Sequence, residues 1–267
     1  MRHVLVTGGS SGIGLAIAAL LLSRGDRVTL LARDEGRLEA AMDILSELPG
    51  AGERLAAVSA DVADAASVGA GVRAAASRFG PADVLVASAG IVEPGLFHDQ
   101  PPELFERQVA VNLFGVANSV RAVLPDMRAA GGGRIAIVSS GAGLIGIPGY
   151  SGYCASKFAL RGLAASLRAE TAGHGISVSI SFPPDTVTPQ YEREMLVRPP
   201  EAEAMMGRVR PWQAADVARV IVEGMEKGRR EVHFGVALRF VGYFGPLVSA
   251  WFDARLVRTA RKGRRPV

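Results

Sequence analysis

Tyr153 and Lys157 stand four residues apart, and Ser140 precedes the tyrosine by thirteen. On a helix, positions i and i+4 share a face, so the phenol and the ammonium would point into one cleft. A free tyrosine has a pKa near 10, too high to exchange protons readily at neutral pH. A nearby ammonium favours the phenolate and is expected to bring Tyr153 toward a useful acid–base range. Ser140, at the end of a strand-like run, is placed to hydrogen-bond a carbonyl oxygen. The chemistry these three residues suggest is proton transfer at such an oxygen. A Tyr-x-x-x-Lys pair by itself is common on protein surfaces; its position behind Ser139-Ser140 gives it weight.

A second cluster lies near the start of the chain, at Thr7-Gly8-Gly9-Ser10-Ser11-Gly12-Ile13-Gly14. Glycines between a first strand and a first helix let backbone approach a pyrophosphate, whose charge the helix N-terminus favours. Gly8, Ser10, Ser11, Gly12, Ile13 and Gly14 are therefore candidate dinucleotide contacts. Arg33 follows the second strand, where an NAD-selective protein usually places an acid that binds the ribose. An arginine there can bind a 2′-phosphate through two hydrogen bonds, and Arg37 lies one helical turn further on. The pattern favours NADP(H) over NAD(H). Two readings of the intervening Asp34 stand: a ribose contact, or a cap on the following helix through Arg37. Lys157 is also placed to hold nicotinamide ribose hydroxyls.

These residues need a frame, and the hydrophobic pattern supplies one. Apolar, β-branched runs at 3–7, 27–32, 55–60, 83–88, 134–139 and 176–182 alternate with helical patterns at 13–24, 34–47, 65–79, 102–130 and 151–172. This βαβα rhythm predicts one Rossmann-type domain, a doubly wound parallel sheet with helices on both faces. After Phe182 the rhythm breaks. Pro183, Pro184, Pro189, Pro199, Pro200 and Pro211 mark a segment that cannot be regular sheet. It reads as an irregular substrate-side insert over about 184–212, followed by a helix at 213–227 and a short strand at 231–234. The domain is expected to span 1–234, with a distinct C-terminal segment at 235–267.

Composition bounds the rest. The chain has 267 residues, 49% hydrophobic and 21% charged, enough to bury a core. Its one cysteine, Cys154, forms no intrachain disulfide and suits a reducing, cytoplasmic setting. His3, His98, His174 and His233 lack metal-ligand spacing, so no metal is expected. The strand-like run from Arg2 suggests no signal peptide. Six basic residues and no acid lie from Arg255 onward, so with a net charge of +4 the remainder carries −2. The basicity belongs to a tail, and no recognition motif accompanies it to indicate nucleic-acid binding.

The glycine turn, Asp61-Val62, Asn112, Ser140, Tyr153 and Lys157 together resemble the short-chain dehydrogenase/reductase family in order and spacing, over roughly the first 230 residues. The resemblance implies that Asp61 and Val62 meet the adenine and that Gly90 and Pro183 line the cofactor site. It also implies that Asn112 interrupts the long helix at a water site relaying protons through Lys157. Assembly as a homodimer or homotetramer is implied as well. One departure is Ala87-Ser88-Ala89-Gly90, where the family usually has asparagine ahead of Ala-Gly; this puts a strand-stabilising hydrogen bond in doubt.

A narrower resemblance, to the 3-ketodihydrosphingosine reductases of that family, rests on several strings. These are the run from Phe182-Pro183-Pro184-Asp185-Thr186 to Tyr191-Glu192-Arg193-Glu194, the helix from Ser156 to Ala164, and Leu30-Leu31-Ala32-Arg33-Asp34. It implies reduction of a long-chain keto lipid with NADP(H) served by Arg33 and Arg37. Met195, Leu196 and Val197 are candidate covers for the chain, and Met205 and Met206 are either lid or core residues. The apolar, aromatic stretch from Phe240 to Phe252 is shorter than the ~20 residues of a spanning helix, and Pro246 would kink it. With the basic tail it suits a peripheral anchor at an anionic membrane. The other reading is a helix packed on the core or at an oligomer interface. Rival functions are a reductase of another hydrophobic ketone, a 3-oxoacyl thioester or a steroid, or a nucleotide-sensing protein without turnover.

Overall fold

The computed structural model describes residues 1–207 and 210–245. The chain runs β1 (His3–Thr7), α1 (Gly12–Ser23), β2 (Arg27–Ala32), α2 (Glu35–Ser46), β3 (Leu55–Ser59), α3 (Ala65–Phe79) and β4 (Val84–Ala87). It continues through α4 (Pro102–Val109), a π-helical turn (Ala110–Phe114), α5 (Gly115–Ala129), β5 (Gly133–Val138), α6 (Ser151–Thr171) and β6 (Ile176–Phe182). Beyond these come β7 (Thr186–Val187), α7 (Pro189–Met195), α8 (Pro200–Met206), β8 (Trp212–Gln213), α9 (Ala214–Glu226) and β9 (Glu231–His233).

Seven parallel strands form one sheet in the order β3-β2-β1-β4-β5-β6-β9. Side chains alternate between its faces with period two. Leu5, Leu85, Ile135 and Val178 are in register across four strands and pack together with α3, α5 and α6. Their neighbours Val6, Val86 and Ala136 face the opposite layer of α1, α2 and α9. Strands buried on both faces explain the near-continuous apolar runs. Helix α1 is apolar around much of its circumference because it lies between the sheet and α9, with Ile17, Leu21 and Leu22 fully buried.

β1 sits between β2 and β4, so the chain reverses its direction of winding there. The connections that leave the C-terminal ends of β1 and β4 lead to helices on opposite faces, α1 and α5, and this switch point opens a crevice, the usual ligand position on such sheets. The Rossmann-type expectation is therefore met, and its topology brings the glycine turn to the segment after β4.

The insert departs from expectation. The segment 184–212 contains two short helices, and β7 pairs with β8 to close its ends. Pro189 and Pro200 occupy the first positions of α7 and α8, where the missing N–H has no helical partner to lose. The prolines start helices here instead of excluding order. At 235–245 the chain is helical. Leu238 and Val241 pack on the two core layers, and Arg161 donates to the Gly242 carbonyl at 3.0 Å. Val236, Phe240, Tyr243 and Phe244 are exposed. The remaining C-terminal residues, including Pro246 and the basic tail, lie outside the described residues. Among the described residues no helix is long and apolar enough to cross a membrane.

Candidate functional site

A cleft of about 380 Å³ occupies the switch point. Its floor is the turn between β1 and α1. Gly8 adopts φ +67°, and a Cβ there would lie 2.7 Å from the Ala89 Cα. A Cβ on Gly14 would lie 2.3 Å from the Gly8 carbonyl oxygen. Only glycine permits backbone this close at both points. Ser11 caps α1 with extended backbone and no side-chain hydrogen bond, which leaves hydroxyl and helix N–H groups available to an anion. This cradle fits a pyrophosphate, so a dinucleotide is compatible with the residues present.

The edge of the cleft carries Arg33, Arg37, Asp61 and Val62. Arg33 reaches Asp61 at 3.5 Å with three-quarters of its side chain exposed, a weakly held pair that leaves the guanidinium accessible. Asp34 resolves in favour of capping: its carboxylate accepts from the Arg37 N–H at 3.0 Å. Val62 is buried against Gly115.

At the other end, Gly90, Tyr153 and Lys157 line the cleft together. Helix α6 places Lys157 Nζ 5.6 Å from the Tyr153 ring centroid, as the i,i+4 spacing predicts. Nζ donates to the Val138 carbonyl at 3.0 Å. Lys157 is only 4% exposed, and burial pulls its ammonium down to about 8. The phenol of Tyr153 runs against expectation. Burial holds it above its ordinary value, a hydrogen bond with Ser140 offsets part of the rise, and the carboxylates of Glu194 and Asp185 push upward again. The direction is opposite to the lowering expected from the spacing with Lys157, and its largest cause is desolvation.

Three expected residues stand behind the cleft wall. Ser140 lies two residues past β5, and its hydroxyl accepts from the Ala142 N–H at 3.1 Å while facing Tyr153. Asn112 is fully buried in the π-helical turn that interrupts the long helix. Its amide donates to the Ile91 carbonyl at 2.9 Å and to Ser156 at 3.0 Å, and accepts from the Ile91 N–H at 2.8 Å. It thus ties the segment after β4 to α6. Thr7 adds backbone and hydroxyl contacts to Ser88 and Ala89, so that segment is anchored without the family's asparagine. Pro183 is buried below the cleft, its carbonyl accepting from the Gly141 N–H at 2.9 Å.

The sequence reading missed Thr188 and Gln190, which enter the cleft from the insert. Thr188 caps α7 by accepting from the Tyr191 N–H at 3.1 Å, and the Thr-Pro pair is a helix-start signal that could have revealed it. Arg198 was also missed. Its side chain, only 6% exposed, joins Asp185, Glu194 and Tyr150. Of the proposed chain covers, Met195, Leu196 and Val197 are exposed, whereas Met206 packs near Tyr150 and Cys154.

The chain is similar to known proteins in sequence and in fold. The model of the short chain dehydrogenase family matches residues 2–195. A 3-dehydrosphinganine reductase of Arabidopsis thaliana is 38% identical over 251 residues, 93% of this chain and 73% of the relative. A 3-ketodihydrosphingosine reductase of Dictyostelium discoideum is 32% identical over 94% of this chain and 80% of its own length. Among solved structures, levodione reductase superposes with a TM-score of 0.80 at 30% identity, covering 87% of this chain and 95% of that one. With the glycine cradle, the switch-point cleft and the tyrosine–lysine pair in one domain, the chain belongs to the short-chain dehydrogenase family.

Proposed function

We propose that this protein reduces the keto group of 3-ketodihydrosphingosine to dihydrosphingosine with NADPH. The observation that carries the reading is Tyr153 beside Ser140 and Lys157 in a cleft floored by a pyrophosphate cradle. The relatives of that activity, similar along most of the chain, supply the substrate class.

Ser10, Ser11 and the Gly12–Ile13–Gly14 turn would hold the pyrophosphate, Arg33 and Arg37 the 2′-phosphate, and Asp61 and Val62 the adenine. Gly90, Lys157 and Pro183 would serve the nicotinamide half. When bound, NADPH supplies the hydride for the keto carbon. Ser140 orients the keto oxygen, and Tyr153 donates its proton there. A phenol is protonated at neutral pH, the state that donation requires. The ammonium of Lys157 then favours the phenolate left behind. Asn112, whose Oδ1 would lie 3.2 Å from a Cβ on Gly90 with Lys157 Nζ at 3.3 Å from the same point, helps return a proton through water.

The test is NADPH oxidation by the purified full chain with the sphingoid ketone, a steroid ketone and a 3-oxoacyl thioester. The sphingoid ketone should be the preferred substrate, and Tyr153→Phe should lose at least about 100-fold in turnover. Equal use of all three ketones would remove the substrate assignment, and near-full turnover by Tyr153→Phe would remove the mechanism.

The same proposal includes a cytoplasmic protein held peripherally at a membrane, supported by exposed Phe240, Tyr243 and Phe244 ahead of the basic tail. Flotation with anionic vesicles tests this; protein left wholly in the aqueous fraction overturns it. Assembly as a homodimer or homotetramer is supported by exposed Phe114 and Phe158. A monomer by light scattering would overturn that part.

A further inference from the structure

The insert carries a charge arrangement that proton donation by Tyr153 does not require. Arg198 donates to Asp185 Oδ2 at 3.0 Å, to Glu194 Oε1 at 2.6 Å and to the Tyr150 hydroxyl at 3.1 Å. Tyr150 in turn donates to Glu194 Oε1 at 2.6 Å, and the Arg198 guanidinium lies over the Tyr191 ring. Two carboxylates share one guanidinium, so the group carries a net charge of −1, with Arg198 and Glu194 largely buried and Asp185 about a quarter exposed. Both contacts to Glu194 fall on Oε1, which leaves acceptor capacity on Oε2.

That surplus borders the substrate side. A second cavity of about 360 Å³ adjoins the cleft, sharing Ile91, Glu93 and Gln190 with it. Glu194 lies on its wall beside apolar Val92, Pro94, Leu104 and Val197. Of the other charges there, Glu93 is paired with Arg107, and Arg193 is exposed, so water screens it. The Tyr150 ring, bonded to Glu194, lies 6.4 Å from the Tyr153 ring. A largely buried negative charge on this side of the proton donor opposes the oxyanion that develops during reduction, unless the substrate itself brings a cation. An ammonium on the carbon next to the reacting carbonyl is such a cation, and the apolar wall suits an alkyl chain.

We propose that Glu194, held in place by Arg198, is a specificity-determining residue that receives the protonated amine of an α-amino ketone substrate. The inference rests on the substrate reading above and deepens it.

The experiment compares kcat/KM for the 2-amino-3-ketone and for a ketone of the same chain length lacking only the amine. The wild type should prefer the amine by about 10-fold or more, and Glu194→Gln should erase most of that preference, chiefly through KM. A wild type that reduces the amino ketone but accepts the amine-free ketone equally well overturns the inference and leaves the proposed function standing. A wild type that reduces neither removes the proposed function and the inference with it. If Glu194→Gln lowers both substrates by one factor, the residue is structural and the inference fails. Should the variant not fold, the N-acetylated amino ketone decides with the wild type alone. Acetylation removes the positive charge and should forfeit the same 10-fold preference; an unchanged kcat/KM refutes the role.

Discussion

Lys157→Met should make the ligand-free protein more stable near neutral pH while disabling it. Lys157 is 4% exposed, its ammonium donates among the described residues only to the Val138 carbonyl, and burial pulls it from 10.5 to about 8. A shift of that size corresponds to about 3 kcal/mol of penalty for holding the charge inside the protein. Methionine of similar length removes the penalty but leaves the Val138 carbonyl without its donor, a loss of about 1–2 kcal/mol. The net gain at about pH 7 is then on the order of 1–2 kcal/mol. The sign of the pH dependence follows from proton binding. Between about 8 and 10.5 the unfolded lysine holds a proton that the folded one has released, so wild-type stability rises with pH through that window. The penalty is complete below about 8 and fades toward 10.5. From about pH 7 to pH 9.5 the wild type should recover about 2 kcal/mol that the variant never lost. Urea denaturation of both proteins without ligand, at those two pH values, measures the difference; the carbonyl loss cancels because it does not titrate. A variant–wild-type difference that stays constant with pH would refute the account of Lys157 as a buried, unpaired charge.

Two further outcomes follow from the cleft. Arg33→Ala should weaken NADPH binding by about 10- to 100-fold with little effect on NADH, the range for one charge-assisted contact; fluorescence titration reads both, and an unchanged preference removes Arg33 from the phosphate site. Gly14→Ala would press a Cβ to within 2.3 Å of the Gly8 carbonyl oxygen, so the turn must shift. It should lose dinucleotide affinity and about 2 kcal/mol or more of stability by thermal denaturation, and wild-type values for both would contradict the close approach.

Much of the frame was legible locally. Alternating apolar runs placed β1, β2 and β6 at their observed bounds, and α3 likewise, because periodicity records which faces are buried. The strand–glycine–helix order located the cradle, since Gly8 and Gly14 answer to steric limits a few residues away. The four-residue spacing was enough to set Tyr153 and Lys157 on one face of α6.

Other features were decided by elements distant in sequence. Arg198 has no periodic signature, and it becomes buried only because the turn after β6, α7 and Tyr150 converge on it. The π-helical turn at Asn112 depends on the backbone of Ile91 and on Ser156 arriving from β4 and α6. The pKa of Tyr153 shifts opposite to the expected direction for the same reason. An ammonium four residues away is visible in sequence, but the desolvation that raises the phenol is a property of the surroundings that only the folded chain assembles. The sequence by itself determined which groups are present and which share a face; the tertiary structure decided how much water they keep, and thereby which charges they carry.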